Sequence, residues 1–267
     1  MRLNIEHITT FTYDAPIGEA HTMMRLRPMD AGGQHCLSFS LFTEPRGELT
    51  EFTDPRGNNV RYFDVLAPHE QLIVSAMSQV LTPERMTNER IELTSFERFD
   101  YLNESPYTEH SDIIHDLAHS AEVANDAYAT ALALMRAIHA AIKYERGVTD
   151  VKTTAPQALK LGRGVCQDYT HVMLSACRSV GLPARYVSGY FYGTKSNTAY
   201  AATHAWVDVF LEGQGWVSLD PTHNTEQTPN HVRVAIGRDY ADVTPTRGIY
   251  TGHASEKLSV KVRVYPA

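Results

Sequence analysis

Gly164-Val165-Cys166-Gln167-Asp168-Tyr169-Thr170-His171 separates a glycine-rich bend from an apolar helical pattern, and the fold turns on how it is read. Ahead of it, Gly162 and Gly164 permit a tight bend and a close approach by a substrate backbone. Beyond it, Thr170, Met173, Leu174, Cys177 and Val180 recur at helical spacing. A helix is therefore expected to begin at about Cys166. It should end at Gly181 and Pro183, a C-cap glycine followed by a residue that cannot extend a helix. A thiol in the first turn faces unpaired backbone N–H groups and the positive end of the helix dipole, and both favour the thiolate. Position alone suits a small core residue equally well. Cys177 is an internal comparison: it lies within the apolar stripe of the same helix, where no unpaired donors remain, and it reads as structural. Cys36 falls in a strand-and-turn region with no catalytic neighbour in sequence.

Downstream, strands are expected at Ala184 to Tyr192, Thr203 to Leu211, Trp216 to Asp220, Val232 to Ile236 and Leu258 to Tyr265. A cysteine nucleophile needs a base that later acts as an acid, and histidine suits both roles near neutrality. His204 and His223 are the candidates. Thr203-His204-Ala205-Trp206 and Leu219-Asp220-Pro221 read as two arms of a hairpin around Glu212-Gly213-Gln214-Gly215. An odd loop puts Asp220 on the face of His204. A three-residue loop at Glu212 to Gln214 sets Trp206 opposite Asp220, with His204 on the diagonal roughly 7 to 8 Å away. A two-residue turn would send Asp220 to the other face, and a bare Asp-Pro is otherwise a turn signal. His223 reads as a surface loop residue, and Asp168 and His171 as local capping or solvent-facing groups.

Upstream, Ile8 to Tyr13, Leu37 to Leu41 and Val60 to Val65 alternate in the strand period, and Asp54-Pro55-Arg56-Gly57-Asn58-Asn59 reads as a tight turn between antiparallel strands. The first hundred residues are thus expected to be all-β. Past Asn103-Glu104-Ser105-Pro106 the period becomes helical after Ser111, again after Asn125, and at Thr154-Ala155-Pro156. This suggests an N-terminal β domain over 1–104 and a second domain over 105–267. With 43% hydrophobic and 21% charged residues the chain can bury a sizeable core. Its net charge of -7, without a basic stripe, argues against nucleic acid. No apolar run approaches the roughly 20 residues of a spanning helix, and the start lacks a signal-peptide core, so a cytoplasmic protein is expected. Three cysteines in no CxxC pairs suggest neither disulfides nor structural zinc, and the 13 histidines form no HExxH, so no metal is expected.

Taken together, the stretch around Cys166, Gly181-Leu182-Pro183-Ala184-Arg185-Tyr186-Val187-Ser188-Gly189-Tyr190, His204-Ala205-Trp206-Val207 and Leu219-Asp220-Pro221-Thr222 resemble the bacterial transglutaminase-like proteins. Cys, His and Asp follow in order at matching intervals. The β half and Gly237-Arg238-Asp239-Tyr240-Ala241-Asp242-Val243 extend the likeness over most of the chain. The resemblance implies an α+β fold: a sandwich-like all-β domain, then a papain-like transglutaminase core of helices packed on an antiparallel sheet. It implies a Cys166-His204-Asp220 triad and acyl transfer through a thioester. The Cys166 N–H is the natural first oxyanion donor. Tyr144, Gln167 and Trp206 are further candidates for oxyanion or substrate contact. Calcium serves animal relatives, yet no acidic loop here resembles an EF-hand, and no cofactor is expected. An amide hydrolase of cysteine-peptidase character acting on a peptide or protein is the leading expectation. A glutamine transamidase, a non-catalytic peptide-binding module with a relic triad, and an arylamine acetyltransferase with an acyl-coenzyme A site are the alternatives.

Overall fold

The computed structural model describes residues 1–87, 92–193 and 203–267 and folds as α+β with mostly antiparallel sheets. Six strands come first: β1 (Arg2–Ile17), β2 (Ala20–Met24), β3 (His35–Glu44), β4 (Glu48–Thr53), β5 (Asn59–Val65) and β6 (His69–Leu81). Alternation along β1 turns Leu3, Ile5, His7, Thr9 and Phe11 inward. The turn expected at Asp54 joins β4 to β5. Asp54 C=O accepts from Gly57 N–H at 2.9 Å, its Oδ1 accepts from Arg56 and Asn58 N–H at 3.0 Å, and Gly57 takes φ +85°.

Helices follow: α1 (Ser95–Leu102), α2 (Asp112–Ser120), α3 (Ala127–Ala141), the two-residue β7 (Lys143–Tyr144), α4 (Ala155–Leu161), β8 (Arg163–Gly164) and α5 (Cys166–Ser179). The first of them corrects the all-β expectation for the first hundred residues. Thr94 and Glu97 form a capping box, with Thr94 Oγ1 accepting from Glu97 N–H at 3.2 Å and Glu97 Oε2 from Thr94 N–H at 2.9 Å. The last elements are β9 (Ala184–Phe191), β10 (Thr203–Leu211), β11 (Gly215–Asp220), β12 (Thr225–Glu226), β13 (His231–Gly237), α6 (Tyr240–Val243), β14 (Thr246–Tyr250) and β15 (Glu256–Pro266). Among the described residues no helix is long and apolar enough to cross a membrane.

Two four-stranded sheets, in orders β15-β1-β6-β3 and β14-β2-β5-β4, enclose Phe11, Met24, Phe63, Leu72 and Val74 as a sandwich. Two of these eight strands come from the chain's far end. β15 runs against β1 from Leu3↔Pro266 to Tyr13↔Glu256, and β14 against β2. Residues 246–250 and 256–266, expected within the second domain, therefore complete the N-terminal sheets. In return Leu3, Ile5 and Val80 enter the large core formed with α3 and α5.

A five-stranded sheet, β12-β11-β10-β9-β13, carries the C-terminal half. Ala205, Val207, Val209 and Leu211 share the large core with Val172, Met173 and Ala176 of α5. By the period of two, His204, Trp206 and Asp208 turn the other way. There Trp206 clusters with Val187 and Ile236. The β10–β11 register runs from Leu211↔Gly215 to Val207↔Leu219 around a three-residue loop. Continued by one step, it sets Trp206 across from Asp220 with His204 on the diagonal, as the loop length predicts.

β13 is an edge strand, and two amide side chains of the β region cover that edge. Gln34 accepts from Arg233 N–H and donates to Arg233 C=O, both at 2.8 Å. Asn58 does the same for Ile236 at 2.8 and 2.9 Å. The unpaired backbone groups of an edge are thus satisfied without a further strand.

Candidate active site

α5 begins where the sequence places it. Asp168 and Tyr169 N–H close on Val165 C=O at 2.9 and 3.2 Å, so the N–H groups of Cys166 and Gln167 precede the first helical bond. Asp168 Oδ2 accepts from Val165 N–H and from Thr149 Oγ1, both at 2.7 Å, tying the bend to the helix. Gly164 is required by this side chain: a Cβ there would meet Asp168 Oδ2 at 2.5 Å. Its close approach is therefore to Asp168. At the other end Gly181 takes φ +75° and Leu182 N–H returns to Cys177 C=O at 2.9 Å. Cys166 is partly exposed, whereas burial pushes the Cys177 thiol up to about 12.

His204, the second residue of β10, bonds through Nε2 to Asp220 Oδ2 at 2.7 Å and lies within interaction range of the Cys166 thiol. Burial opposes the imidazolium, but the charge and hydrogen bond of Asp220, then the bond to Cys166, raise the His204 pKa to about 10. Asp220 is fully buried. Burial alone would raise its pKa; the charge of His204 and the bonds from His204, His223 and His231 hold it well below the usual carboxylate range. The two oxygens of Asp220 divide their duties. Oδ1 accepts from Thr222 and His223 N–H at 2.9 and 3.2 Å, which is a turn. Oδ2 faces three imidazoles: besides His204, His223 Nδ1 at 2.6 Å and His231 Nε2 at 3.1 Å.

Both outer histidines add to the sequence reading: His223 is the exposed loop residue expected there, but it also joins Asp220. Its ring stacks on Phe191 with centroids 4.4 Å apart. His231 escapes the sequence altogether, because β13 pairs with β9, from which three strands separate it along the chain, and no hairpin parity relates it to Asp220. Thr228 N–H donates to His231 Nδ1 at 3.1 Å, which puts the ring proton on Nε2, toward Asp220. Burial keeps this imidazole neutral. His204, Asp220 and His231 have their ligand atoms within 4.8 Å of one another, the spacing of a metal cluster. The proton on His231 Nε2 occupies the lone pair a metal would need, so the set is built as donors around a carboxylate.

Other expectations change as well. Trp206 is fully buried beneath His204, with centroids 6.0 Å apart, and packs the sheet instead of meeting substrate. Gln167 Nε2 donates to Val151 C=O at 3.3 Å. Tyr144 pairs with Gly164 in the β7–β8 bridge, two residues ahead of the nucleophile. Asp168 caps, as expected, but His171 does not face solvent. It is fully buried, stacks on Tyr107 at 4.8 Å and accepts from Tyr240 N–H at 3.3 Å; burial, then Arg178, lowers its pKa to about 3.

A thiol at a helix start, with imidazole and carboxylate on an antiparallel sheet, is the arrangement of the papain-like class of folds. Residues 115–221 match the transglutaminase-like superfamily, and residues 3–81 match the bacterial transglutaminase-like N-terminal region. An uncharacterized protein of Mycobacterium leprae is 31% identical over 275 residues, covering 98% of each chain. A protein-glutamine gamma-glutamyltransferase of Pseudomonas aeruginosa is 39% identical over 67 residues, 22% of this chain and 10% of that one. Among solved structures, a candidate cysteine protease from Cytophaga hutchinsonii superposes with a TM-score of 0.78 at 23% identity, covering 100% of this chain and 91% of the other. The chain belongs to the transglutaminase-like superfamily.

Proposed function

We propose that the protein is a cysteine-dependent acyl-transfer enzyme acting on peptide or glutamine amides, with water as the acceptor. The observation that carries this is the imidazole of His204, bonded to Asp220 Oδ2 at 2.7 Å and within interaction range of the Cys166 thiol at the start of α5. In this reading the Cys166 thiolate attacks the amide carbonyl, and the new oxyanion is met by the Cys166 N–H at the helix start. His204 gives its proton to the leaving amine. It then takes a proton from water, which attacks the thioester and releases the acid. Asp220 holds the ring in the tautomer that keeps Nδ1 toward sulfur.

Transamidation is the second reading, favoured by the likeness to the Pseudomonas aeruginosa protein-glutamine gamma-glutamyltransferase. One measurement tests the thiolate that both readings share, and a second divides them. Iodoacetamide at pH 6 should label Cys166 far faster than Cys177; equal rates would end the thiolate proposal. With a glutamine-bearing peptide and a labelled primary amine, hydrolysis alone supports water as the acceptor, and amine incorporation supports transamidation.

A further inference from the structure

We propose that His231 is a positioning residue for Asp220, and that the N-terminal β region acts on the triad by holding His231 in place. This rests on the thiol chemistry proposed above. His231 is fully buried and engaged at both ring nitrogens: Nδ1 accepts from Thr228 N–H at 3.1 Å and Nε2 points to Asp220 Oδ2 at 3.1 Å. A neutral imidazole locked in that tautomer is a permanent donor to the carboxylate. It comes from a third strand, beyond the hairpin that carries His204 and Asp220, and so fixes Asp220 from a direction the hairpin cannot supply. Phe191 sits against the rings of both His231 and His204, with centroids at 4.8 and 5.4 Å.

The β region grips the chain on either side of His231. On one side Thr82 Oγ1 donates to Pro229 C=O at 2.6 Å. On the other, Gln34 takes both backbone groups of Arg233 at 2.8 Å, and Met29 N–H adds a bond to Arg233 C=O at 3.0 Å. Two residues before and two after the imidazole are thus anchored to one neighbouring sandwich. The charged and titratable groups around it are Asp220 from β11, His204 from β10 and the half-exposed His223 from the loop after β11.

The test is the rate of Cys166 alkylation by iodoacetamide from pH 5 to 9 in the full-length chain. If the wild type shows no preference for Cys166 over Cys177, the proposed function fails before any variant is compared. Given that preference, His231→Ala should slow labelling at pH 6 by about tenfold or more and move the reactive limb to higher pH, the scale seen when an orienting partner of a functional imidazole is removed. His231→Gln returns an N–H near the position of Nε2 and should recover most of the rate. Gln34→Ala combined with Thr82→Val should displace the pH profile in the same direction as His231→Ala, by less. An unchanged profile in folded His231→Ala overturns the positioning role. Equal loss in His231→Gln and His231→Ala, tracking only a lowered Tm, overturns it too by reducing His231 to packing. An unchanged profile in the Gln34/Thr82 variant overturns the part assigned to the β region.

Discussion

Asp220 shows how much one side chain carries. Its Oδ1 makes the turn that an Asp-Pro pair signals, and its Oδ2 takes up the imidazoles. Asp220→Asn keeps the volume but removes the charge that raises His204, and its amide turns one N–H group toward rings that already donate. Under the proposed chemistry, labelling of Cys166 at pH 6 should fall by up to about 10⁴-fold, the loss in turnover known when a triad aspartate becomes asparagine. A loss under threefold would mean that Asp220 serves the turn alone. Gly189 makes a second residue-scale case: a Cβ there would lie 2.0 Å from Val232 C=O and 2.7 Å from the Trp206 ring. Gly189→Ala should cost about 3 kcal/mol or more, measured by urea unfolding, because backbone and a buried indole must both move. Stability within 1 kcal/mol of the wild type would contradict that packing. Cys166, His204 and Asp220 were legible because a helix start and the parity of a three-residue loop are local features. His231 was not, since strand order puts two strands between it and Asp220, and the burial of Trp206 depends on a cluster with Ile236 that lies far off in sequence.

Among elements, β13 depends on side chains distant in sequence. Its outer edge is closed by Gln34 and by Asn58, the latter a residue that sequence marks as part of a turn. Each supplies a donor and an acceptor to buried backbone: Asn58→Ala leaves the Ile236 N–H and C=O without these partners, and Gln34→Ala leaves the Arg233 N–H without one while its C=O keeps Met29 N–H. The expected loss is about 1 to 3 kcal/mol for each variant in urea unfolding. A loss under 0.5 kcal/mol in both would mean that the edge needs no cover. α5 was readable end to end because both its limits are written in local chemistry, Gly164 and Asp168 at the start and Gly181 with Pro183 at the finish. α1 carries an equally local signal, the Thr94–Glu97 capping box, at the end of a stretch dominated by the strand period.

At the scale of the molecule, the two halves are joined both by the return of β14 and β15 and by a common core. Linear order hides this, because β15 finds its partner at the opposite end of the chain. His7 of β1 crosses the same junction, its Nδ1 lying 3.0 Å from the Tyr190 hydroxyl of β9. Burial lowers its pKa to about 4 and, with a smaller effect from Arg178, that of His171 to about 3. An unfolded histidine takes up its proton near pH 6.5, so below that value the unfolded chain binds more protons than the folded one and stability falls as pH falls. The buried, neutral His231 adds in the same direction. Each unmatched proton contributes about 1.4 kcal/mol per pH unit, so His7 and His171 together should remove on the order of 4 kcal/mol between pH 6.5 and pH 5. Urea unfolding at pH 7, 6 and 5 measures this directly, and His7→Gln should reduce the slope by about one proton. Stability that stays level from pH 7 to 5 would show that these imidazoles gain protons without unfolding, and the junction would then be open to water.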